Sequence, residues 1–158
     1  MSAMPAVWDI ALAFDPKARR CDVVVAGGDL VLDATPLTPM LMSLGLDRRA
    51  EPDDALPDGV PDTSAPAHFD LRRGWAGDAL DREGRRTGSR LWLLNREKQT
   101  EGTRARAEGY AAQALAWLGA ERGYAPAVAA SWLRRGVLLL EADAGNARVE
   151  IPLAGAAA

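Results

Sequence analysis

The chain has 158 residues, of which 48% are hydrophobic and 26% are charged, and its formal net charge is −3 at pH 7. This composition is typical of one globular domain, here residues 1–158, and the negative charge argues against a nucleic-acid partner. A single cysteine and a single histidine exclude an internal disulfide and a Cys/His zinc cluster. The sequence shows neither a signal-peptide pattern nor an apolar run of about 18 residues, so neither export nor a membrane partner is predicted.

The first part of the chain predicts a small β meander. Apolar residues alternate with others over residues 8–14, which is the period of a strand with one buried face. Two further strands, 21–26 and 30–32, flank Gly27-Gly28-Asp29, which supplies the positive φ angles of a tight hairpin turn. A phosphate-binding loop at the two glycines is discounted, because no Walker lysine, third glycine or directly following helix accompanies them.

A short helix and a long loop are predicted next. Thr-Pro pairs at 35–36 and 38–39 provide cap and first-turn signals for a helix over residues 39–46, with Met40, Leu41 and Leu44 on its apolar face. Residues 47–70 are rich in proline and aspartate and poor in apolar residues. This composition predicts an irregular surface loop that could become ordered on a partner.

The C-terminal half predicts one long amphipathic helix packed on an antiparallel sheet. Residues 102–122 follow helical spacing, and Gly123 with Pro126 provides the stop signal. Three strands, 126–134, 136–142 and 148–153, are separated by hairpin-turn sequences. The predicted class is therefore α+β, with an N-terminal β meander, a short helix, a long irregular loop, a long helix and a C-terminal antiparallel sheet.

The last strand, 148–153, is predicted to form an open edge of that sheet. Pro152 fits an edge position, because its missing N–H costs no ladder bond there. The alternative is an ordinary internal strand that Pro152 merely ends. If the edge interpretation holds, deleting residues 149–158 is expected to leave a folded protein that cannot join its partners.

The middle stretch, residues 74–100, combines aromatic residues, turn glycines and arginines. Trp75 and Trp92 each lie beside glycine-led turns, and burial habits favour a core position for both. The apolar run at 91–94 is either a buried strand or the lead-in to the polar residues that follow it.

Charge is distributed unevenly around this stretch. Residues 51–81 carry eight acidic and two basic residues, whereas residues 82–106 carry eight basic and three acidic residues. Such regions could attract each other across the fold, or each could face a partner and set its orientation.

Three short motifs in the same stretch resemble a known family. They are Arg72-Arg73-Gly74-Trp75-Ala76-Gly77-Asp78, Gly88-Ser89-Arg90-Leu91-Trp92-Leu93-Leu94 and Arg96-Glu97-Lys98-Gln99-Thr100. With the acidic block at 47–59 and Gly28-Asp29-Leu30 upstream, their order and spacing resemble the gene product 46 family of Mu-like phages from residue 8 to residue 153. The chain departs from the family at Ala76, where a second tryptophan is common, and at residues 60–69, which look like an insertion.

The resemblance implies a structural component of a contractile tail baseplate, located in the virion and, during assembly, in the host cytoplasm. The family is similar to the T-even gene product 25 wedge component, which clamps a helical bundle of larger wedge proteins and offers a surface on which the sheath begins to assemble. The resemblance therefore implies that the partners are larger baseplate wedge proteins and the tail sheath protein. It implies no cofactor, metal or small-molecule substrate. The candidate partner-interface or motif residues are Arg73, Gly74, Trp75, Gly77, Asp78, Ser89, Arg90, Trp92, Arg96, Lys98 and Thr100.

Two other functions compete with this one. A carboxylate-dependent, lysozyme-like glycan hydrolase would use the acidic residues of the middle third, which include Asp78 and Glu83. Most of these acids lie among prolines and other acids, which offers no means of raising one pKa for acid catalysis. A serine or cysteine nucleophile would have only His68 as its base. The third hypothesis is a small soluble adaptor or regulator.

Overall fold

The computed structural model of the chain describes residues 9–15, 20–57, 71–95 and 97–154. Its elements are the short strands β1 (Asp9–Ile10), β2 (Leu12–Asp15), β3 (Arg20–Val23), β4 (Val25–Ala26), β5 (Asp29–Leu30) and β6 (Leu32–Asp33), helix α1 (Leu37–Gly45), the 3-10 helices Ala76–Leu80 and Leu91–Leu94, helix α2 (Glu101–Arg122), and the long strands β7 (Ala127–Arg134), β8 (Val137–Ala144) and β9 (Ala147–Ala154). The predicted α+β class is confirmed.

The N-terminal meander is made of three antiparallel strand pairs, β1–β6, β2–β3 and β4–β5. At its centre three main-chain hydrogen bonds of 2.8–2.9 Å run from Ala11 N–H to the Val31 oxygen, from Val24 N–H to the Ala11 oxygen, and from Val31 N–H to the Val24 oxygen. Each of the three chain segments therefore pairs with both of the others. The prediction of one continuous strand over 8–14 was wrong, because the strand is interrupted at Ala11, and Trp8 lies outside the described residues.

On the predicted buried face of residues 8–14, Ile10 is exposed and Leu12 is half-buried. Four further aliphatic side chains of the meander are exposed, namely Val23, Val25, Leu30 and Leu32. The hairpin turn between β4 and β5 is as predicted, since Gly27 and Gly28 adopt φ angles of 61° and 85°.

Helix α1 begins two residues before the predicted start at Pro39. Pro36 is its N-cap residue, and the Thr35 hydroxyl accepts a hydrogen bond from Leu37 N–H at 3.3 Å. Thr38, which the sequence suggested as the cap, lies inside the first turn and donates its hydroxyl to the Ile10 carbonyl oxygen at 2.8 Å. Thr38 therefore fastens α1 to the meander, while Met40 and Leu44 face the core.

Helix α2 agrees with the prediction at both ends. The Thr100 hydroxyl accepts from Thr103 N–H at 3.1 Å, and Gly123 closes the helix with a φ of 69°. Four of the six buried residues of the helix are small, and the buried set is Thr103, Ala107, Ala111, Ala114, Leu115 and Leu118. Small side chains allow the helix axis to approach the sheet closely.

The C-terminal sheet has the order β7-β8-β9, with both pairs antiparallel. Both helices contact it, α2 mainly at β7 and α1 at β9. The buried side of β8 carries Leu138, Leu140, Ala142 and Ala144. The three predicted strands are confirmed, although β8 extends to Ala144.

Strand β9 lies at an edge of this sheet, as predicted, but it also contributes to the core. Val149 is buried, and Ile151 and Leu153 pack against the same cluster. Deleting residues 149–158 would therefore remove part of the core, so the expectation that this truncation leaves a folded protein has to be corrected.

Candidate partner interface

The motif-rich stretch folds around the chain segment of residues 46–50. Ser89 N–H donates to the Leu46 oxygen at 2.8 Å, Arg48 N–H donates to the Ser89 oxygen at 2.9 Å, and Ala50 N–H donates to the Arg72 oxygen at 2.9 Å. The start of the predicted 47–70 surface loop is thus held between two motif segments. We call residues 46–50 the inserted segment, and Ala50 within it is buried. Residues 58–70 lie outside the described residues.

Two motif glycines permit this close approach. Gly74 has a φ of 108°, and a Cβ atom there would lie 2.8 Å from the Arg49 Cβ. Gly88 has a φ of 91°, and a Cβ atom there would lie 2.4 Å from the Leu46 carbonyl oxygen. Both positions need glycine for its conformational freedom and for its lack of a side chain.

Trp92 packs inside this arrangement. Its side chain is 6% exposed and belongs with Ala50 and Leu93 to a second small hydrophobic cluster. The indole Nε1 donates to the Arg48 carbonyl oxygen at 2.8 Å, and the Arg73 guanidinium lies 4.5 Å above the ring centroid. Its run, Leu91–Leu94, is a 3-10 helix, so the strand alternative was wrong.

Ser89 and Arg90 also act within the fold. The buried Ser89 hydroxyl donates to the Leu44 carbonyl oxygen at 2.8 Å. Arg90 donates to both Asp54 carboxylate oxygens at 3.0 and 2.9 Å, and its guanidinium lies 4.7 Å from the Tyr110 ring centroid. These residues therefore make contacts within the fold, and a role for them in direct partner contact stays a prediction.

The acidic and basic regions of the sequence attract each other across the fold. Besides Arg90 with Asp54, Arg86 pairs with Glu51 at 3.2 Å. Arg85 pairs with Asp81 at 3.0 Å and with Glu121 of α2 at 2.9 Å. The hydrogen bond to Asp81 raises the pKa of Arg85, and the Arg85 backbone N–H is the main cause of the lowered pKa of Asp81.

Trp75 lies on the surface, in contrast to Trp92. Its side chain is 57% exposed, so the expectation of a core position was wrong for this residue. The indole lies against Gly77, where an added Cβ would come within 2.3 Å of the ring. Gly77 therefore leaves the space that the Trp75 ring occupies, and a larger residue there would displace the ring.

Trp75 lines an open cleft of about 790 Å3 between its own 3-10 helix, α1 and α2. Leu80, 85% exposed, and Met42, 46% exposed, line the same cleft. Trp117 of α2 also lines it, with its Nε1 donating to the Ser43 hydroxyl at 2.9 Å. We define this cleft with Met42, Trp75, Leu80 and Trp117 as the tryptophan cleft.

Two buried polar atoms beside the tryptophan cleft have no hydrogen-bond partner among the described residues, Asp78 Oδ2 and Arg48 Nε. The other Asp78 oxygen accepts from Thr87 N–H at 3.0 Å. Burial lowers the pKa of Arg48. Unpaired buried polar groups cost free energy, and they are common where another molecule completes a site.

The remaining predicted motif residues that the structure describes, Arg73, Lys98 and Thr100, do not line the cleft. Lys98 is exposed, and its carbonyl oxygen accepts from the Thr103 hydroxyl at 2.7 Å. Thr100 is the α2 cap, Arg73 pairs with Asp47 at 2.7 Å, and Arg96 lies outside the described residues. Sequence reasoning missed Met42, Leu80 and Trp117. Leu80 was the detectable one, because it is the one large apolar residue between Trp75 and Leu91.

Two features are absent from the described residues, a metal-binding cluster and a membrane-spanning helix. They contain no group of three or more histidine, cysteine or acidic side chains placed to hold a metal ion. None of their helices has the length and apolar character that crossing a membrane requires.

Comparison with known proteins relates this fold to phage proteins. Residues 36–150 match the family described as phage protein GP46. Over 99 residues, the chain is 46% identical to baseplate protein gp46 of Escherichia phage Mu, an alignment that covers 63% of this chain and 61% of that protein.

A second relative is Mu-like prophage FluMu protein gp46 of Haemophilus influenzae. It is 35% identical over 122 residues, which cover 76% of this chain and 75% of that protein. No solved structure is significantly similar to the chain. Since the family match includes the tryptophan cleft, α2, β7 and β8, the chain belongs to the phage protein GP46 family.

Proposed function

We propose that the protein is a structural component of a phage contractile tail baseplate. The observation that supports this most directly is the 46% identity to a Mu protein named as a baseplate protein. The fold is consistent with such a role, because most motif residues stabilise one rigid arrangement around residues 46–50 and leave a few large apolar side chains exposed. Exposed aromatic and aliphatic side chains that cluster on a soluble protein are typical of partner contacts.

The tryptophan cleft is our candidate for the contact with a larger baseplate wedge protein. Arg85 and Arg86 at its rim are already paired with acidic residues of this chain, which neutralises much of the local charge. Apart from the unpaired atoms Asp78 Oδ2 and Arg48 Nε, what is left is mostly apolar surface from Trp75, Leu80 and Met42. We therefore propose that the occupant is an amphipathic helical segment of that larger protein, laid into the cleft with its apolar face inward and with a polar group beside Asp78 and Arg48.

The edge of β9 is our candidate for the contact with the tail sheath. Edge strands present unpaired main-chain groups to which a partner strand can add. Strand β9 pairs with β8 over its full length and has no second neighbour among the described strands. Clamping of wedge proteins at the cleft and nucleation of the sheath at this edge are two separate contacts in this proposal.

We expect Trp75→Ala and Leu80→Ala to abolish incorporation into tails without unfolding the protein. Both side chains are exposed, so their removal should change the free energy of unfolding by no more than about 0.5 kcal/mol. The readout is complementation of a phage lacking the gene, with tails purified and probed for the protein. Leu133→Ala is the matched control, because Leu133 is 61% exposed but lies on β7, away from the cleft.

A result in which the Trp75 and Leu80 variants enter tails as well as the Leu133 variant would contradict the cleft assignment. If a phage that lacks the gene makes normal tails when no copy of the gene is supplied, the baseplate role itself is contradicted.

A purified sample of the protein is expected to show no hydrolysis of peptidoglycan. Among the described carboxyl groups, those with a shifted pKa are Asp81 and Glu101, and both are lowered by neighbouring hydrogen-bond donors. This direction is opposite to what a general acid requires. Turnover that disappears in both Asp78→Asn and Glu83→Gln would instead support the hydrolase hypothesis, while regulation of a host gene would support the adaptor hypothesis.

A further inference from the structure

The two edges of the C-terminal sheet differ in how their main-chain groups are satisfied. At the middle of β7, Ala130 N–H donates to a Glu108 carboxylate oxygen at 2.9 Å. The Ala130 carbonyl oxygen accepts from an Arg104 guanidinium nitrogen at 3.3 Å. Both side chains come from α2, and they also form an ion pair with each other. One N–H and one C=O of the sheet edge are thus occupied by side chains.

The position of Ala130 determines what this contact blocks. Main-chain groups of an antiparallel strand point alternately to its two neighbours. Because Ala130 points away from β8, Val128 and Trp132 also direct their N–H and C=O groups outward. A strand adding to β7 would need the central pair of groups at Ala130, which the Arg104–Glu108 pair already occupies. A register irregularity between Trp132 and Arg134 further disrupts the end of this edge.

Arg104 also has a second carboxylate partner, Glu101, in the first turn of α2. Arg104 Nε also donates to both Glu101 carboxylate oxygens, at 2.9 and 3.0 Å. Hydrogen bonding to Glu101 raises the pKa of Arg104, and Arg104 in turn lowers the pKa of Glu101. An arginine guanidinium is charged throughout the neutral pH range, so the contact of Arg104 with the Ala130 oxygen does not depend on a titration near pH 7.

Strand β9 carries no comparable cover. In the portion of the chain that the structure describes, its main chain is bonded only within the ladder to β8, and the side chain of Arg148 pairs with Glu150 and Glu141 on the sheet surface. We propose that the Arg104–Glu108 pair closes the β7 edge, so that the sheet can be extended at β9 alone, and that without the pair β7 adds to β7 of a second copy.

The second copy is the occupant that the geometry favours. Antiparallel pairing of β7 with itself is two-fold symmetric, so one exposed edge supplies both halves of the contact. The face of β7 that points away from the core carries three exposed side chains, Ala127, Ala129 and Ser131. They are too small to hinder a neighbouring strand. The inference concerns the isolated chain and holds or fails independently of the baseplate proposal.

The test compares Glu108→Ala with Glu101→Ala. Both remove a carboxylate partner of Arg104 from α2, but only the first removes the acceptor of Ala130 N–H. In dilute solution, we expect the Ala130 amide to exchange at least about tenfold faster in Glu108→Ala than in wild type. At high concentration, sedimentation should show about tenfold tighter self-association of this variant, with the Val128 and Trp132 amides becoming protected.

The Glu101→Ala variant should match wild type in both measurements, and Glu108→Gln should retain protection of Ala130, because its amide oxygen can still accept the bond. Should Glu108→Ala fail to fold, Arg104→Ala is measured instead, with increased self-association expected from the freed Ala130 oxygen. The proposal is overturned if the folded variant associates no more than Glu101→Ala, or if the additional association of the variant protects β9 rather than β7.

Discussion

We expect Trp92→Ala to lower the free energy of unfolding by about 3–5 kcal/mol, the range for truncating a buried large aromatic side chain. The indole is 6% exposed and packs with Ala50 and Leu93. Its loss would leave a cavity, and it would also leave the Arg48 carbonyl oxygen without the donor that now lies 2.8 Å away. The measurement is the denaturant midpoint at constant slope.

Two further variants separate the parts of this effect. Trp92→Phe keeps most of the apolar volume and loses the hydrogen bond, so we expect a smaller loss of about 1–3 kcal/mol. Trp75→Ala removes an exposed indole and should change the free energy of unfolding little. An unchanged midpoint for Trp92→Ala would show that Trp92 is not part of the core, whatever the behaviour of the other two variants.

The regular elements of the C-terminal half could be predicted because their patterns are local. Helix α2 has an N-cap threonine, helical spacing of small apolar residues and a C-terminal glycine, each of which lies within the element itself. The strands β7, β8 and β9 are each eight residues long and joined by turns containing Gly136 and Gly145. Such signals do not depend on contacts with distant residues.

The N-terminal meander could be predicted only in outline. Its turn at Gly27 and Gly28 is local, but the interruption at Ala11 exists because that residue bonds to both Val31 and Val24. A period-two pattern cannot reveal that one strand changes partner halfway along its length.

The two tryptophans could not be told apart from the sequence. Each lies near a glycine, but the glycines do different things: Gly77 receives the exposed ring of Trp75, whereas Gly88 brings a distant chain segment close to the region of Trp92. Which role applies depends on residues 46–50, which lie more than twenty positions earlier in the chain than Trp75. The uneven charge distribution was more informative, since Arg85, Arg86 and Arg90 pair with acids as one of its two interpretations predicted.

We expect Gly88→Ala to destabilise the protein nearly as much as the loss of Trp92. A side chain at a positive φ costs about 1–2 kcal/mol, and forcing extra volume into a packed site costs about 1–3 kcal/mol more. At Gly88, the new Cβ would lie 2.4 Å from the Leu46 carbonyl oxygen and 2.9 Å from the Arg48 nitrogen. Those neighbours are backbone atoms held by hydrogen bonds to Ser89, so they cannot move aside without breaking that pairing.

Gly84→Ala is the matched control for this substitution. Gly84 has a φ of 69°, but no atom lies within 4 Å of the position that a Cβ would occupy. It should therefore show the conformational cost alone, about 1–2 kcal/mol, and the difference between the two variants measures the cost of separating residues 46–48 from the motif. Equal destabilisation of the two variants would mean that the contact between Gly88 and Leu46 contributes nothing, and the inserted segment would then not be the element that holds this region together.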